Sequence, residues 1–419
     1  MARDALTQCL ECDLLQRNPV LPTGAAAHCA RCGALLHRHQ PHSLERTLAL
    51  TLAGLILFLI ANTFPFLALE LRSQTQETTL ITGVLALYRE GMGGLAAVVF
   101  FTSILSPGLQ LGLLLLILLP LRLGRLPPGF ARLFRQVRAL APWGMMDVFM
   151  LGILVSTVKL AAMAALVPGP GLYAFGLLIF VLAAAQASLD PDIVWSRIPL
   201  PAPIRRRPEP GEPCLSCPVC ELVVPMRAVK APGGRCFCPR CGQILHRRKP
   251  RSLQRTLALL LAAAILYIPA NLLPIMEVTS LGRIQSDTIL SGALYLIETG
   301  MWPLALVVIV ASLCVPLFKL VMLGLLLVSV RQRWAWRPVE RTRLYRLLEL
   351  VGRWSMVDIF VVTILVALVQ LGNLANVVAQ PGAAFFAAVV VLTMLATMSF
   401  DPRLIWDLRV TQDAGPSGR

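Results

Sequence analysis

Residues 29–65 read CARCGALLHRHQPHSLERTLALTLAGLILFLIANTFP, and residues 238–274 read CPRCGQILHRRKPRSLQRTLALLLAAAILYIPANLLP. A shift of 209 residues superposes Cys29 on Cys238, Cys32 on Cys241, His37 on His246, Ser43 on Ser252, Arg46 on Arg255, Asn62 on Asn271 and Pro65 on Pro274. Each copy joins a cysteine knuckle to an apolar run of membrane-spanning length. The chain therefore reads as a tandem duplication of one module, two units that cooperate.

Composition sets the class. Across 419 residues the mean hydropathy is +0.72, hydrophobic residues make up 57% and charged residues 14%, against about a quarter charged in soluble chains. This is the composition of a polytopic membrane protein. A net charge of +16 would suggest nucleic acid in a soluble chain. Here the basic residues sit in the cysteine segments and between apolar runs, the positive-inside pattern, so no nucleic-acid partner is expected. The first apolar run begins near Thr47, after two cysteine pairs, so it reads as a retained span and not as a cleaved signal.

Apolar stretches lie at roughly 47–67, 94–121, 144–167 and 171–189, and again at roughly 256–276, 302–330, 355–379 and 383–400. Each is near the roughly 20 residues a helix needs to cross a bilayer. Arginines cluster after the second, fourth, sixth and eighth stretches, at Arg122 to Arg138, Arg197 to Arg207, Arg331 to Arg346, and Arg403 with Arg409. The intervening loops are nearly free of them, so both termini and both cysteine segments are placed in the cytoplasm. Four spans per module give the copies the same orientation, unlike inverted repeats.

The predicted organisation is a zinc ribbon at 1–46, a transmembrane unit at 47–197, a Pro/Arg-rich linker at 198–212, a second ribbon at 213–255, a second transmembrane unit at 256–410 and a disordered tail at 411–419. The fold class is all-α: two parallel four-helix transmembrane units, each preceded by a small cytoplasmic ribbon. The longer loops at roughly 68–90 and 277–300 end in TGVLALYREGM and SGALYLIETGM, which read as short amphipathic helices on the outer surface.

Cys9-x2-Cys12 and Cys29-x2-Cys32 are separated by sixteen residues, and Cys217-x2-Cys220 and Cys238-x2-Cys241 by seventeen. A two-residue gap lets both thiolates of a knuckle reach one ion, and two knuckles complete a tetrahedral four-cysteine site. Two structural Zn2+ sites are expected, with iron compatible with the same spacing. Disulfides are disfavoured on the reducing side of the membrane. A closed four-thiolate site leaves no open position for chemistry. Cys214 and Cys236 have no counterparts in the first module and read as spectators, and Cys314 reads as a small packing residue within a span. The five histidines all lie outside the spans, which excludes a membrane-embedded bis-histidine haem, and no phosphate-cradling GxxxxGK[ST] loop is present. No enzyme is predicted.

Ionisable residues within a bilayer cost about 3 kcal/mol or more at the helix centre, so each calls for a reason. Asp147 and Lys159 fall in the third stretch, Lys319 in the sixth and Asp358 in the seventh. Asp147 and Asp358 are equivalent, in WGMMDVF and WSMVDIF, whereas Lys319 aligns with Gln110 and Lys159 with Gln370. Asp358 lies about 7 Å into the membrane from Arg353 and Lys319 about 18 Å from Arg331, so a lysine that bends toward the interface reaches the aspartate. Asp147 and Lys159, about 18 Å apart on one helix, do not pair. A buried Asp–Lys pair can change protonation state during a cycle; the alternative is that the aspartates anchor span ends. Pro107 and Pro316 match and are expected to kink the second and sixth spans. Asn62 and Asn271 read as packing or interhelical residues, Glu90 and Glu298 as interfacial.

The duplicated CxxC…CxxCG, the RTLAL start of each first span, the four-span module and the W-x-M-x-D signature together resemble the paraquat-inducible protein A family over roughly residues 5–410. The resemblance implies an inner-membrane protein of a Gram-negative bacterium with tetraspanin-like four-helix units. It implies that the protein works with a periplasm-spanning MCE-domain tunnel and moves phospholipid between membrane and tunnel. It also implies a polar network in the second unit, centred on Lys319 and Asp358 with Asp147 as first-unit counterpart, that links transport to the proton gradient; Lys159 leaves the first unit's part open. A non-transporting anchor for the tunnel, or a redox protein with iron-loaded ribbons, are the readings set against it.

Overall fold

The computed structural model describes residues 6–407 except 18–20, 72–73, 128, 162–164, 199–211, 229–235, 281–282, 299, 335, 353 and 369–374. The expected linker and the C-terminal tail with Arg409 thus lie almost wholly outside the described residues, as does Arg353. Among the described residues eight helices are long and apolar enough to cross a membrane: Ser43–Thr63, Gly93–Arg122, Phe130–Thr157, Pro170–Ser188, Ser252–Leu272, Ala305–Arg331, Pro338–Leu368 and Pro381–Ser399, numbered here spans 1 to 8. Leu80–Arg89 and Ile289–Glu298 form the two shorter apolar helices expected before spans 2 and 6.

Within each half the first and last spans run side by side, tied at the end nearest the cysteine segments by a repeated serine clasp. Ser43 Oγ donates to the Ser188 carbonyl at 2.7 Å and accepts from the Asp190 amide at 2.7 Å. Ser252 Oγ does the same with Ser399 at 2.8 Å and Asp401 at 3.0 Å. At the far end the pairing is closed by glycine. A Cβ on Gly171 or Gly382 would stand 2.7 or 2.5 Å from the carbonyl oxygens of Phe64 and Pro274, so no other residue fits.

Spans 2 and 6 each pass through a π-helical turn, Phe101–Leu105 and Ile309–Cys314, just ahead of Pro107 and Pro316. Proline cannot donate to the preceding turn, and the extra residue accommodates that loss. In the second half the Tyr267 hydroxyl donates to the Leu313 carbonyl in this turn at 3.1 Å. Asn62 and Asn271 bond within their own helices, to the Phe58 and Tyr267 carbonyls at 2.8 Å each, and not across to another. Cys314 is exposed on the apolar flank and not packed, contrary to its reading from sequence.

Spans 3 and 7 differ most from expectation. Each is built from an interfacial helix, Phe130–Leu140 or Pro338–Val351, a short 3-10 turn, and an apolar helix, Met146–Ala161 or Val357–Leu368. The apolar run does not stay helical to its end: Ala165–Pro168 and Ala375–Ala379 are strands. Each adds to a hairpin, Leu67–Leu71 with Gln74–Thr78 and Met276–Ser280 with Arg283–Asp287, giving two antiparallel three-stranded sheets. Pairing with the hairpin strands draws these segments into sheets, and Pro170 and Pro381 hold the residues before them, Gly169 and Gln380, extended with ψ of 166° and 164° ahead of spans 4 and 8.

The halves meet along spans 3 and 7. Phe149 and Phe360 pack edge to face at 5.0 Å, and a Cβ on Gly152 would lie 2.8 Å from the Phe360 Cβ. The described side chains of Ile359 to Leu368 are all buried, as expected of a helix apolar on every face that occupies the middle of the bundle. At the sheet end, Glu90 accepts from the Ala379 amide at 3.0 Å across the two halves, and burial pushes its carboxyl above the usual range.

Candidate metal centres and a buried lysine

Each cysteine segment is a pair of short hairpins whose turns carry the knuckles. The tight turn after the first cysteine of each knuckle closes in the same way every time. Asp13, Gly33, Glu221 and Gly242 donate their amides to the carbonyls of Cys9, Cys29, Cys217 and Cys238 at 2.8–2.9 Å, and all four have positive φ of 58–71°. The result gathers Cys9, Cys12, Cys29 and Cys32 into one buried cluster and Cys217, Cys220, Cys238 and Cys241 into another. Sulfurs approach to 3.5 Å (Cys9–Cys32) and 3.4 Å (Cys12–Cys29, Cys217–Cys241, Cys220–Cys238). Thiolates about 2.3 Å from one ion lie about 3.8 Å apart, so both clusters fit a single metal ion. Such thiols cannot all ionise without a cation. The hydrogen bond from Cys12 pulls Cys9 down to about 5 while the same contact, with burial, drives Cys12 far up. Cys214 and Cys236 stay outside the cluster, Cys214 donating to the Glu212 carbonyl at 3.4 Å.

Each cysteine module leans on the other half of the membrane domain. Arg346, on the interfacial helix of span 7, donates to Glu11 at 2.7 Å and to the Cys32 carbonyl at 2.9 Å. Arg31 lies over Trp406 at 5.7 Å, and Arg248 joins Asp13 at 2.8 Å while also pairing with Asp407. Conversely, Arg138 on the interfacial helix of span 3 donates to the Val219 carbonyl and to Glu221, the latter at 2.9 Å. Beneath that contact Trp195 packs on Phe130 and Phe134 at 5.6 and 5.0 Å.

The second feature is Lys319, 1% exposed within span 6. Its ammonium donates to the Gly352 carbonyl at 3.0 Å and to Ser355 Oγ at 3.3 Å. The break in span 7 supplies both acceptors: Gly352 caps the helix Pro338–Val351, where the helix end leaves its carbonyl free, and Ser355 sits in the 3-10 turn Trp354–Met356. Gly352 also lines an open cavity of about 400 Å³, together with Pro142, Arg346, Glu349, Met394 and Met398 among others. At the equivalent place in the first half Gln110 is equally buried and faces Gly144, and its Oε1 has no hydrogen-bond partner among the described residues.

Asp147 begins the apolar helix of span 3 and is exposed on the bundle surface. Asp358 and Lys159 lie in the apolar helices of spans 7 and 3, but their side chains fall outside the described residues, and with them the expected Lys319–Asp358 pair. Ser355 and the Gly352 carbonyl were missed by residue-by-residue reading. The signal was present in WSMVD beside WGMMD, where Ser355 stands against Gly144.

These features define an eight-span membrane protein duplicated head to tail, with a four-cysteine site ahead of each half. The sequence profile described as Paraquat-inducible protein A matches residues 44–199 and again 253–409, and the chain belongs to that family. It is 36% identical over 410 residues to the Intermembrane transport protein PqiA of Escherichia coli strain K12, covering 95% of each chain. It is 31% identical over 415 residues to the Lipophilic envelope-spanning tunnel protein A of the same strain, covering 99% of this chain and 94% of that protein. A Probable intermembrane transport protein of Haemophilus influenzae is 29% identical over 96% of both. No solved structure gives a significant match. Membership supports a role in intermembrane transport.

Proposed function

We propose that the protein is the inner-membrane subunit of a lipid transport system, which takes phospholipid into its second transmembrane unit and passes it to a periplasmic MCE-domain tunnel. In this reading both cysteine modules face the cytoplasm, each holds one structural Zn2+, and the four-helix units act as one duplicated body. The observation that carries it is Lys319: a cation nine-tenths buried, met by neutral acceptors of which Gly352 also lines a cavity, at a position where the first half has Gln110. Keeping such a group in a bilayer costs several kcal/mol, a cost that selection for packing alone would remove. Asp358, one turn beyond Ser355, completes the network, with Lys159 and Asp147 as its first-unit periphery. Protonation of that network couples lipid movement to the proton gradient. The chain is a transporter and not an enzyme.

Lipid transfer between reconstituted vesicles tests this. Lys319→Ala and Asp358→Asn are expected to lose transfer at least tenfold while the tunnel partner still co-purifies. Unchanged transfer with the partner still bound would leave the protein as an anchor.

A further inference from the structure

Where the last span of each half runs back into the cysteine segment, the halves solve the same problem with opposite charge. In the second half the loop after span 8 reads Asp401-Pro402-Arg403. Arg403 folds back onto Asp401 with bonds of 2.9 and 3.0 Å, and the Lys249 amide donates to the same carboxylate at 2.9 Å. In the first half the loop after span 4 reads Asp190-Pro191-Asp192, an aspartate where the arginine stood. The positions of Arg248 and Lys249 are taken by His39 and Gln40. A buried carboxylate has lost its guanidinium and gained a second carboxylate as neighbour.

What faces this pair is imidazole. His37 Nδ1 lies 2.9 Å from Asp192 Oδ2, and His39 Nδ1 lies 3.7 Å from Asp190 Oδ2. Asp190 is 1% exposed and turns its other oxygen, Oδ1, to the Asp192 amide at 3.0 Å, which leaves Oδ2 directed at the histidines. One ligand atom each from His37, Asp190 and Asp192 falls within 4.8 Å of the others. Ligands about 2.1 Å from one ion stand about 3–3.5 Å apart, so small side-chain rotations close the set. Asp192 is half exposed, which leaves room for water ligands and an approach path. Arg138 and Arg240 are close enough for Asp192 to feel their charge, but Arg138 is spent on Val219 and Glu221. Among the described residues neither pairs with either aspartate.

We propose that His37, His39, Asp190 and Asp192 form a third metal site, distinct from the thiolate clusters, which takes a divalent first-row transition-metal ion. Imidazole with carboxylate and water suits manganese, iron, cobalt or zinc, whereas four thiolates select zinc or iron over manganese. The ion would pin the first cysteine module to the end of span 4, as Arg248 on Asp407 and the Lys249 amide on the Arg403-paired Asp401 hold the second module to the end of span 8.

Mn2+ is therefore a probe that separates this site from the thiolate clusters. Full-length protein in detergent, with both clusters zinc-loaded, is titrated with Mn2+ at a pH where imidazole is neutral, and free aquo-ion is followed by electron paramagnetic resonance. One Mn2+ bound per chain is expected. Asp192→Arg rebuilds the second half's arrangement and supplies Asp190 with a guanidinium, so it should abolish uptake while zinc content stays at the unaltered value. His37→Ala should weaken binding by more than the roughly 10–100-fold typical for loss of an outer-shell partner. His246→Ala, the second-half counterpart of His37, should change nothing. No uptake by the unaltered protein, or uptake that survives Asp192→Arg, overturns the proposal and leaves His37–Asp192 as a plain ion pair.

Discussion

The two halves agree wherever backbone geometry demands it and part wherever a side chain handles charge. The serine clasps at Ser43 and Ser252, the glycines at 171 and 382, the π turns before Pro107 and Pro316 and the four positive-φ knuckle turns are the same device used twice. Against them, Lys319 with Ser355 faces Gln110 with Gly144, and Arg403 faces Asp192. A duplicated helix bundle can vary an amino group or a guanidinium without moving a backbone atom, but it cannot move a glycine out of a helix crossing. The comparison teaches that scaffold and chemistry are separable here, and that at this depth the second half carries an amino group, Lys319, where the first half carries a neutral amide, Gln110.

The largest effect should come from what the halves share. Cys32→Ser or Cys238→Ser removes one thiolate from a closed site, and metal-linked folding of such sites is worth about 10–16 kcal/mol in small zinc modules. Each variant should lose one zinc of two, measured by elemental analysis, and expose its module to limited proteolysis. If either cluster kept its metal, or if losing one left the module resistant, the two modules would not be equivalent.

The crossed docking of modules predicts a smaller, reciprocal pair of effects. Arg346→Ala removes bonds to Glu11 and the Cys32 carbonyl; Arg138→Ala removes bonds to Glu221 and the Val219 carbonyl. Bonds to charged groups contribute about 1.5–3 kcal/mol when well buried and less when half exposed, as these are, so about 1–2 kcal/mol is expected for each. Thermal unfolding in detergent reads the loss. The telling result is which module loosens: Arg346→Ala should sensitise the first cysteine module to protease although Arg346 belongs to the second half.

How much of this was legible in the sequence depends on the range of the interaction that fixes it. The eight spans and both cysteine clusters follow from local periodicity and spacing; six spans lie near the expected residues, while the third and seventh begin earlier and end sooner. The strands at 165–168 and 375–379 were read as span ends, because apolar residues suit a buried strand as well as a helix and only the hairpin partner decides. Crossed docking rests on Arg138 and Arg346 meeting residues 83 and 335 positions away, which no local pattern records. Lys319 was legible as a buried cation, but its acceptors were not: a carbonyl at Gly352 becomes available only because span 7 breaks there.

The smallest effect lies at Gln110 and is the sharpest on the comparison. Its side chain is 1% exposed and its Oε1 lacks a partner among the described residues, where Lys319 has two acceptors. An amide carbonyl buried without a donor costs about 1–3 kcal/mol, part of which the NH2 group recovers elsewhere. Gln110→Leu, of similar length and without the orphan, should therefore be neutral or stabilise the fold by about 1 kcal/mol, and lipid transfer should persist. That outcome would leave Lys319 as the working member of the pair, since the same depth in the first half tolerates hydrocarbon. A loss of transfer on Gln110→Leu at unchanged thermal stability would instead place a polar requirement in both halves and break the asymmetry drawn here.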